Sequence, residues 1–151
     1  MDTLIELLNS SSVLCLATSG EQGPHATPLF YAYRENPLQL IFLSDPKTRH
    51  MKEIHAHPQV SAGISPEPES LGGIRGIQLW GTVEFPSDPS VPSTLYFKRF
   101  PQARFYHRLH PQHRFAILEV KTARLIDNRL GFANKKEWQL ISERGTHGAK
   151  G

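Results

Sequence analysis

The sequence predicts a mainly β fold: a small antiparallel barrel with short helices between its strands. The first observation is a series of apolar or alternating segments of strand length, separated by turns rich in glycine, proline and asparagine. The second is that most segments follow one another directly, which favours pairing between sequence neighbours over a parallel βαβ arrangement. The third is size, since 151 residues with 38% hydrophobic and 21% charged side chains suit one globular domain.

The first half of the chain contains one short helix and three strands. Apolar residues at helical spacing predict an amphipathic helix over residues 2–9. Strands follow over residues 12–18, 25–34 and 38–44, and the turns between them suit a meander. Pro28 cannot donate to a ladder hydrogen bond, so the second strand needs a bulge or a free edge there.

The second half adds two helices and up to four strands. The predicted helices cover residues 48–57, where Pro58 ends the helix, and residues 93–100. The predicted strands cover residues 59–65, 74–85, 115–126 and 136–142. We expect residues 1–144 to form one domain and the polar, glycine-containing residues 145–151 to form a flexible tail.

Composition limits the class of partner and the compartment. A net charge of +3 is too small to predict nucleic-acid binding. The one cysteine, Cys15, excludes an internal disulfide and suits a reducing compartment; its apolar neighbours predict a buried thiol. No segment is typical of a signal peptide or of a membrane span, so we expect a cytoplasmic protein.

A basic turn is the strongest local signal in the chain. The strand over residues 39–44 leads into Lys47, Thr48, Arg49 and His50, which crowd the first turn of a predicted helix. Helix N-termini carry open N–H groups and partial positive charge, so cations there are favourable only beside an anion. A phosphate would supply that charge, with the Thr48 hydroxyl and the Arg49 guanidinium as donors. The alternative is a solvated basic turn.

Catalysis by side chains and metal binding have little support. No nucleophile stands beside a base in a known motif, and no pair of carboxylates suggests a general acid and base. His107, His110 and His113 recur every third residue, but Pro111 prevents a helix from aligning them, and no cysteine or carboxylate completes a ligand set. We therefore predict no metal site and identify no catalytic side chain.

Nucleic-acid binding is a further alternative. Arginines alternate with aromatic residues between Arg99 and Phe115, a pattern that can bind single strands. The weak overall charge favours a helix and loop with aromatic residues in the core, so no nucleic-acid partner is expected.

The remaining functional class is a protein that binds a cofactor with its own chemistry. A flavin would use the phosphate-friendly turn and flat aromatic surfaces such as Phe30, Tyr31 and Trp80.

The order of the segments resembles a known superfamily. The segments are residues 16–18, 23–31, 42–44, 48–50 and 57–61, with sequences LAT, GPHATPLFY, FLS, TRH and HPQVS. Together they resemble the FMN-binding split barrels of the pyridoxamine 5′-phosphate oxidase-like superfamily. The later segments IRGIQLWG, KRFP and DNRLGF resemble a further bacterial branch of it, and the resemblance covers residues 12 to 140.

The resemblance implies a six-stranded antiparallel split barrel that forms a homodimer with two FMN molecules at the subunit interface. It places Thr27, Pro28 and Leu29 along the ribityl chain and the ring edge. Leu43 and Ser44 would lie beneath the flavin. The remaining implied cofactor-binding residues are Lys47, Thr48, Arg49 and His50 at the phosphate, with Gln78, Lys136 and Trp138 as further contacts.

Three departures from the family pattern limit what is implied. His50 stands where the family often has lysine, so phosphate affinity would depend on pH. Thr27 and Ala32 stand where true pyridoxamine phosphate oxidases carry an arginine and a lysine. Residues 128–138 lack the R-x-H-x-R run of those enzymes. Oxidation of a vitamin B6 phosphate is therefore not expected.

Two functional hypotheses remain open. The first is a dimeric FMN-dependent oxidoreductase that acts on a small molecule, with a deazaflavin cofactor as a variant. The second is a non-catalytic protein on the same barrel that carries flavin or haem for storage or sensing. In that case His25 and the histidines between His107 and His113 would be the haem ligands to test.

Overall fold

The computed structural model describes residues 2–131 and 135–140, which form one antiparallel sheet and four α-helices. Short 3₁₀ turns occur at Leu71–Gly73 and Asn128–Leu130. The helices are α1 (Asp2–Ser10), α2 (Arg49–Ala56), α3 (Ser90–Arg99) and α4 (Ala103–Leu109). The strands are β1 (Val13–Gly20), β2 (Gly23–Phe30), β3 (Ala32–Arg34), β4 (Gln39–Ser44), β5 (Gln59–Ile64), β6 (Arg75–Glu84), β7 (Arg114–Asp127) and β8 (Lys135–Gln139).

The sheet is a split barrel. Its strand order is β2-β1-β5-β6-β7-β4-β3, and β8 pairs with the far part of β7. Every pairing is antiparallel, and the sheet curls until β2 and β4 approach each other without pairing. The mainly β prediction is confirmed, but the described residues contain eight strands, whereas six were implied.

The hydrophobic core lies on the concave face of the sheet. Successive side chains of each strand point alternately towards this core and towards the outer face. In β1, Leu14 and Leu16 are fully buried, while Val13 and Cys15 are exposed on the other face. Helix α1 closes one end of the barrel with three buried leucines, Leu4, Leu7 and Leu8. Cys15 corrects the expectation of a buried thiol, because period two places it opposite the core-facing leucines.

The predicted strand over residues 25–34 is two strands that break at Tyr31, and the free edge predicted at Pro28 is confirmed because β2 is an edge strand. Pro28 remains in register opposite Cys15, which an edge strand such as β2 tolerates. The buried Tyr31 turns towards α1, where its hydroxyl donates to the carbonyls of Leu8 at 2.8 Å and Ser11 at 2.9 Å. These hydrogen bonds of Tyr31, and not Pro28, mark the end of β2 and the start of β3.

The region after α3 differs from the prediction. Helix α4 was not predicted, because its seven residues lie between two prolines and show no buried face. Helix α3 packs on the second, smaller cluster of buried residues, where Tyr96 contacts Phe115 with ring centroids 5.6 Å apart.

The C-terminal strand ends at Gln139 in the described part. The predicted strand residues 141–142 and the expected tail 145–151 lie outside it. Among the described helices, none has the length and apolar character needed to cross a bilayer.

Candidate functional site

The first turn of α2 meets the end of β4 through a buried hydroxyl–imidazole contact. The Ser44 Oγ atom lies 2.7 Å from Nε2 of His50, and Thr48 Oγ1 lies 3.3 Å from the same nitrogen. Ser44 and His50 are 7% and 6% exposed, so this contact fixes how α2 sits on the barrel. The sequence had not indicated that a hydroxyl would lie beside an imidazole here.

The Ser44–His50 pair is buried beside Thr48. The Thr48 hydroxyl donates to the Asp45 carbonyl at 2.8 Å. Whether Nε2 of His50 donates to Ser44 or accepts from it depends on which ring nitrogen carries the proton.

Thr48 is the N-cap of α2. Its Oγ1 atom accepts from the backbone N–H of Met51 at 3.4 Å. The Thr48 hydroxyl donates to the Asp45 carbonyl, and its contact with a phosphate stays a prediction. Backbone donors are open at this turn: within the described residues, no hydrogen bond uses the N–H of Arg49 or of His50.

Arg49 brings a guanidinium to these open backbone groups. Its Nε atom donates to Glu53 Oε1 at 2.8 Å, and Nη2 lies 3.4 Å from the carbonyl oxygen of Gly23 in β2. Glu53 and Gly23 were not predicted as site residues. The i, i+4 spacing of Arg49 and Glu53 is the signal that could have revealed the ion pair. Arg49 therefore links α2 to β2, and its side chain is 38% exposed.

His50 supplies shape and a proton donor but no charge at neutral pH. Burial lowers the pKa of the ring, and His25 lowers it further, while Glu53 raises it. The positive charge expected at His50 from its place in the basic turn is thus absent at neutral pH. The Lys47 side chain is exposed, and its backbone N–H donates to Asp45 Oδ1 at 2.8 Å.

The edge of β2 faces the gap near β4 and carries an unpaired polar atom. Thr27 Oγ1 is buried and has no hydrogen-bond partner among the described residues. Leu29, two positions further along the same face, packs against the main core. Leu43 of β4 is half-buried against the smaller cluster. A buried hydroxyl without a partner is costly, so the gap suits a ligand with polar groups.

Pro28 and Gln78 lie elsewhere, on the outer face of the barrel. They line a groove of about 540 Å³ with Val13, Cys15 and Gly63. No residue of α2 lines this groove. The structure therefore brings Pro28 and Gln78 together but separates them from the turn that contains Arg49.

Lys136 and Trp138 lie far from α2 within one subunit. Ser44 pairs with Arg114 at the start of β7, whereas Trp138 pairs with Ala123. That difference of nine residues corresponds to roughly 30 Å along the strand. The Lys136 ammonium lies 5.2 Å from the Trp138 ring centroid, so these side chains contact each other.

The first turn of α2 combines two open backbone N–H groups at a helix N-terminus with one guanidinium. Donors of these kinds are common in phosphate sites. No group of three or more potential metal ligands occurs among the described residues. The fold defines a split-barrel protein, with an arginine and open backbone donors at the first turn of α2.

The family is identified by the sequence itself. The family model described as pyridoxamine 5′-phosphate oxidase matches residues 1–128, and the chain belongs to that family. A UPF0306 protein of Yersinia pseudotuberculosis is 26% identical over 136 residues, which cover 89% of each chain.

Solved structures show the same fold at low identity. A heme binding protein from Mycobacterium smegmatis has a TM-score of 0.75 and 17% identity, covering 88% of this chain and 55% of that one. An FAD-binding protein from Mesorhizobium loti has a TM-score of 0.65 and 19% identity, covering 79% of this chain and 88% of that one. These similarities establish the split-barrel fold.

Proposed function

We propose that this protein binds FMN, with the phosphate at the first turn of α2 and the ring system in the gap between β2 and β4. The observation that carries the proposal is the pair of open backbone N–H groups at Arg49 and His50, beside the Arg49 guanidinium. Family membership and the flavin-binding structural neighbour support a flavin over other phosphate esters.

The residues in the gap fit the rest of the cofactor. The buried Thr27 Oγ1 atom, which has no partner in the described part, would donate to or accept from the ribityl hydroxyls. Leu29 offers apolar surface on the core side of β2. Leu43 packs on the other face of β4, against the smaller cluster, and would contact the flavin only through its backbone. Ser44 would act through His50, which it holds against the barrel, and not by direct contact.

We further propose a homodimer that completes the flavin site. Two grooves of about 540 and 480 Å³ lie on the outer face of β1, β5 and β6, between exposed apolar residues that include Val13 and Trp80. A second copy on this face would exclude water from that surface. It would also allow Gln78, Lys136 and Trp138 of one subunit to approach the flavin of the other.

The proposed reaction class is oxidation or reduction of a small molecule. FMN, when bound, supplies the hydride and electron exchange, so the chain has to bind, orient and shield it. Thr27 and Ala32 carry no positive charge that could bind a substrate phosphate. This argues against a vitamin B6 phosphate as the substrate. The exposed, unpaired Cys15 supports a reducing compartment such as the cytoplasm.

Titration of purified protein with FMN, followed by flavin fluorescence, tests the cofactor. The wild type should retain or take up one FMN per chain. Arg49→Ala should weaken binding by about 1.5–3 kcal/mol, because it removes a charged phosphate contact, and Arg49→Lys should recover part of this. Lys52→Ala removes an exposed cation from the same helix and should bind FMN like the wild type. A protein that takes up no FMN would refute the proposal.

A haem-carrying barrel is the second candidate, supported by the structural similarity to the mycobacterial heme binding protein. His25 acts electrostatically on His50, whereas the rings of His110 and His113 contact each other beyond α4. An absorption spectrum after incubation with hemin or FMN separates the two candidates. A Soret band that disappears in a His25→Ala or His107→Ala variant would favour haem.

A further inference from the structure

A second cavity lies on the opposite side of α2 from Arg49. Its volume is about 720 Å³, within the range of about 300–1,000 Å³ that is typical of small-molecule sites. Met51 and His55, one turn apart, form its α2 wall. Positions two residues apart on a helix differ by about 200°, so the face with Arg49 and Glu53 points away from this cavity. We call it the Phe–His cavity.

The apolar walls of the Phe–His cavity are aromatic rings from three different elements. Phe85 follows β6, Phe97 belongs to α3 and Phe115 lies at the start of β7. The His55 ring stacks on Phe85 with centroids 4.2 Å apart and planes inclined by 15°. Phe97 and Phe115 meet edge to face at 5.7 Å. Flat rings of this kind select a planar, unsaturated ligand.

The polar walls carry donors and no carboxylate. Three imidazoles, those of His55, His107 and His113, line the cavity together with Arg114. Asp45 approaches His113 from outside the lining, with Oδ2 3.9 Å from Nε2. The lining of the cavity therefore contains one permanent positive charge, that of Arg114, and no negative charge.

Arg114 is only partly used by the protein. Its Nη1 atom donates to the carbonyls of Pro111, Gln112 and His113 at 3.0–3.3 Å. Within the described residues its Nε and Nη2 atoms have no partner, and Arg114 takes part in no ion pair there. The loop carbonyls thus hold the guanidinium while leaving donors for a carboxylate, which arginine binds through two parallel hydrogen bonds.

The protonated form of His107 is unfavourable beside Arg114. Its Nδ1 atom is buried without a partner in the described part of the chain. Burial lowers the pKa of this ring, and the neighbouring His113 and Arg114 lower it further. An anion in the cavity would offset this unfavourable cluster of donors, which no group of the cavity lining does.

We propose that the Phe–His cavity binds a planar aromatic carboxylate, with its ring against Phe97 and Phe115 and its carboxylate towards Arg114 and His107. The proposal does not depend on the flavin site, because the two sites use opposite faces of α2. It assigns α3 and α4, which the proposed flavin site does not use, to a second ligand site.

Calorimetric titration with three probes tests this proposal on the full-length protein. 2-Naphthoate combines a flat ring with a carboxylate, 2-naphthalenemethanol lacks the charge, and cyclohexanecarboxylate lacks the flat ring. We expect 2-naphthoate to bind at least tenfold more tightly than either control. Equal binding of the alcohol, or no binding of 2-naphthoate, would overturn the proposal.

Two variants locate the bound probe. Arg114→Gln should weaken 2-naphthoate binding at least tenfold, while Arg108→Gln, an exposed arginine of α4 outside the lining, should change it less than twofold. Because Arg114 also holds its loop, Ser93→Phe provides an independent test: it places a ring inside the cavity and should abolish binding. Unchanged 2-naphthoate affinity in both variants would place the probe elsewhere. FMN affinity should remain at the wild-type value in both.

Discussion

The Ser44 hydroxyl oxygen lies 2.7 Å from Nε2 of His50, and both side chains are buried where β4 meets α2. Because burial and His25 lower the pKa of His50, the folded protein holds this ring neutral. The unfolded chain binds its proton at the ordinary value of 6.5. Stability is therefore fully present above that pH and falls as the pH decreases towards the lowered value in the folded state.

We expect the wild type to lose free energy of unfolding between pH 7.5 and pH 5.5, and His50→Gln to lose less over the same interval. Urea unfolding at both pH values measures the difference. His57→Gln, at an exposed position just after the same helix, should retain the wild-type pH dependence. A His50→Gln variant with the full wild-type loss would show that His50 does not titrate as described.

Arg99 joins three elements and should be important for stability. Its guanidinium donates to the carbonyls of Tyr31 at 2.9 Å, Leu8 at 3.3 Å and Ser11, and it lies 4.7 Å from the Tyr31 ring centroid. Arg99→Ala removes the charged donor from all three carbonyls and leaves only the Tyr31 hydroxyl at those of Leu8 and Ser11. We expect it to lower the free energy of unfolding by about 2–3 kcal/mol. Lys98→Ala, an exposed neighbour, should change stability by less than about 0.5 kcal/mol, as measured by chemical denaturation.

Gly81 marks the bulge where β6 shifts register against β7. A Cβ atom there would overlap the carbonyl oxygen of Glu119. We expect Gly81→Ala to destabilise the fold by about 1–3 kcal/mol, since the strand backbone has to move. Gly63→Ala in β5 is the matched control, because nothing lies within 4 Å of its added Cβ. Equal melting temperatures for the two variants would contradict this account of the bulge.

The outer face of the sheet should control the oligomeric state. Val13, 38% exposed, borders the groove that we propose to face a second subunit. A buried carboxylate at that position would disfavour association, so Val13→Asp should convert the dimer into a monomer. Val91→Asp, at a position of α3 that is 57% exposed and away from this face, should leave the dimer intact. Light scattering after size exclusion measures both masses, and a monomeric wild type would refute the proposed dimer.

Local chemistry made much of the fold predictable. The alternation around Leu79 and the apolar run around Phe42 marked β6 and β4 within a few residues. Pro58 correctly ended α2. The break at Tyr31 was not predictable, because it depends on carbonyls of α1 and of the following turn, more than 19 residues away in sequence. Helix α4 was missed because its short, mostly exposed sequence has no apolar periodicity.

The candidate site was predictable in part. The crowding of cations at residues 47–50 marked the first turn of α2, since charge near a helix terminus is a local property. The burial of His50 and the engagement of the Thr48 proton by Asp45 were not visible, because they depend on how α2 packs against β4. The separation of Gln78 and Trp138 from that turn depends on the strand order of the sheet.

Alternation, turn residues and helix signals are properties of neighbouring residues, so the sequence alone was sufficient for the mainly β class, most strand positions and the basic turn. The burial of a side chain and its hydrogen-bond partners depend on the three-dimensional packing of the chain. Only the tertiary structure lowered the pKa of His50 and assembled Phe97, His107 and Arg114 into one cavity. Desolvation and hydrogen bonding depend on contacts between distant segments, which no local pattern specifies.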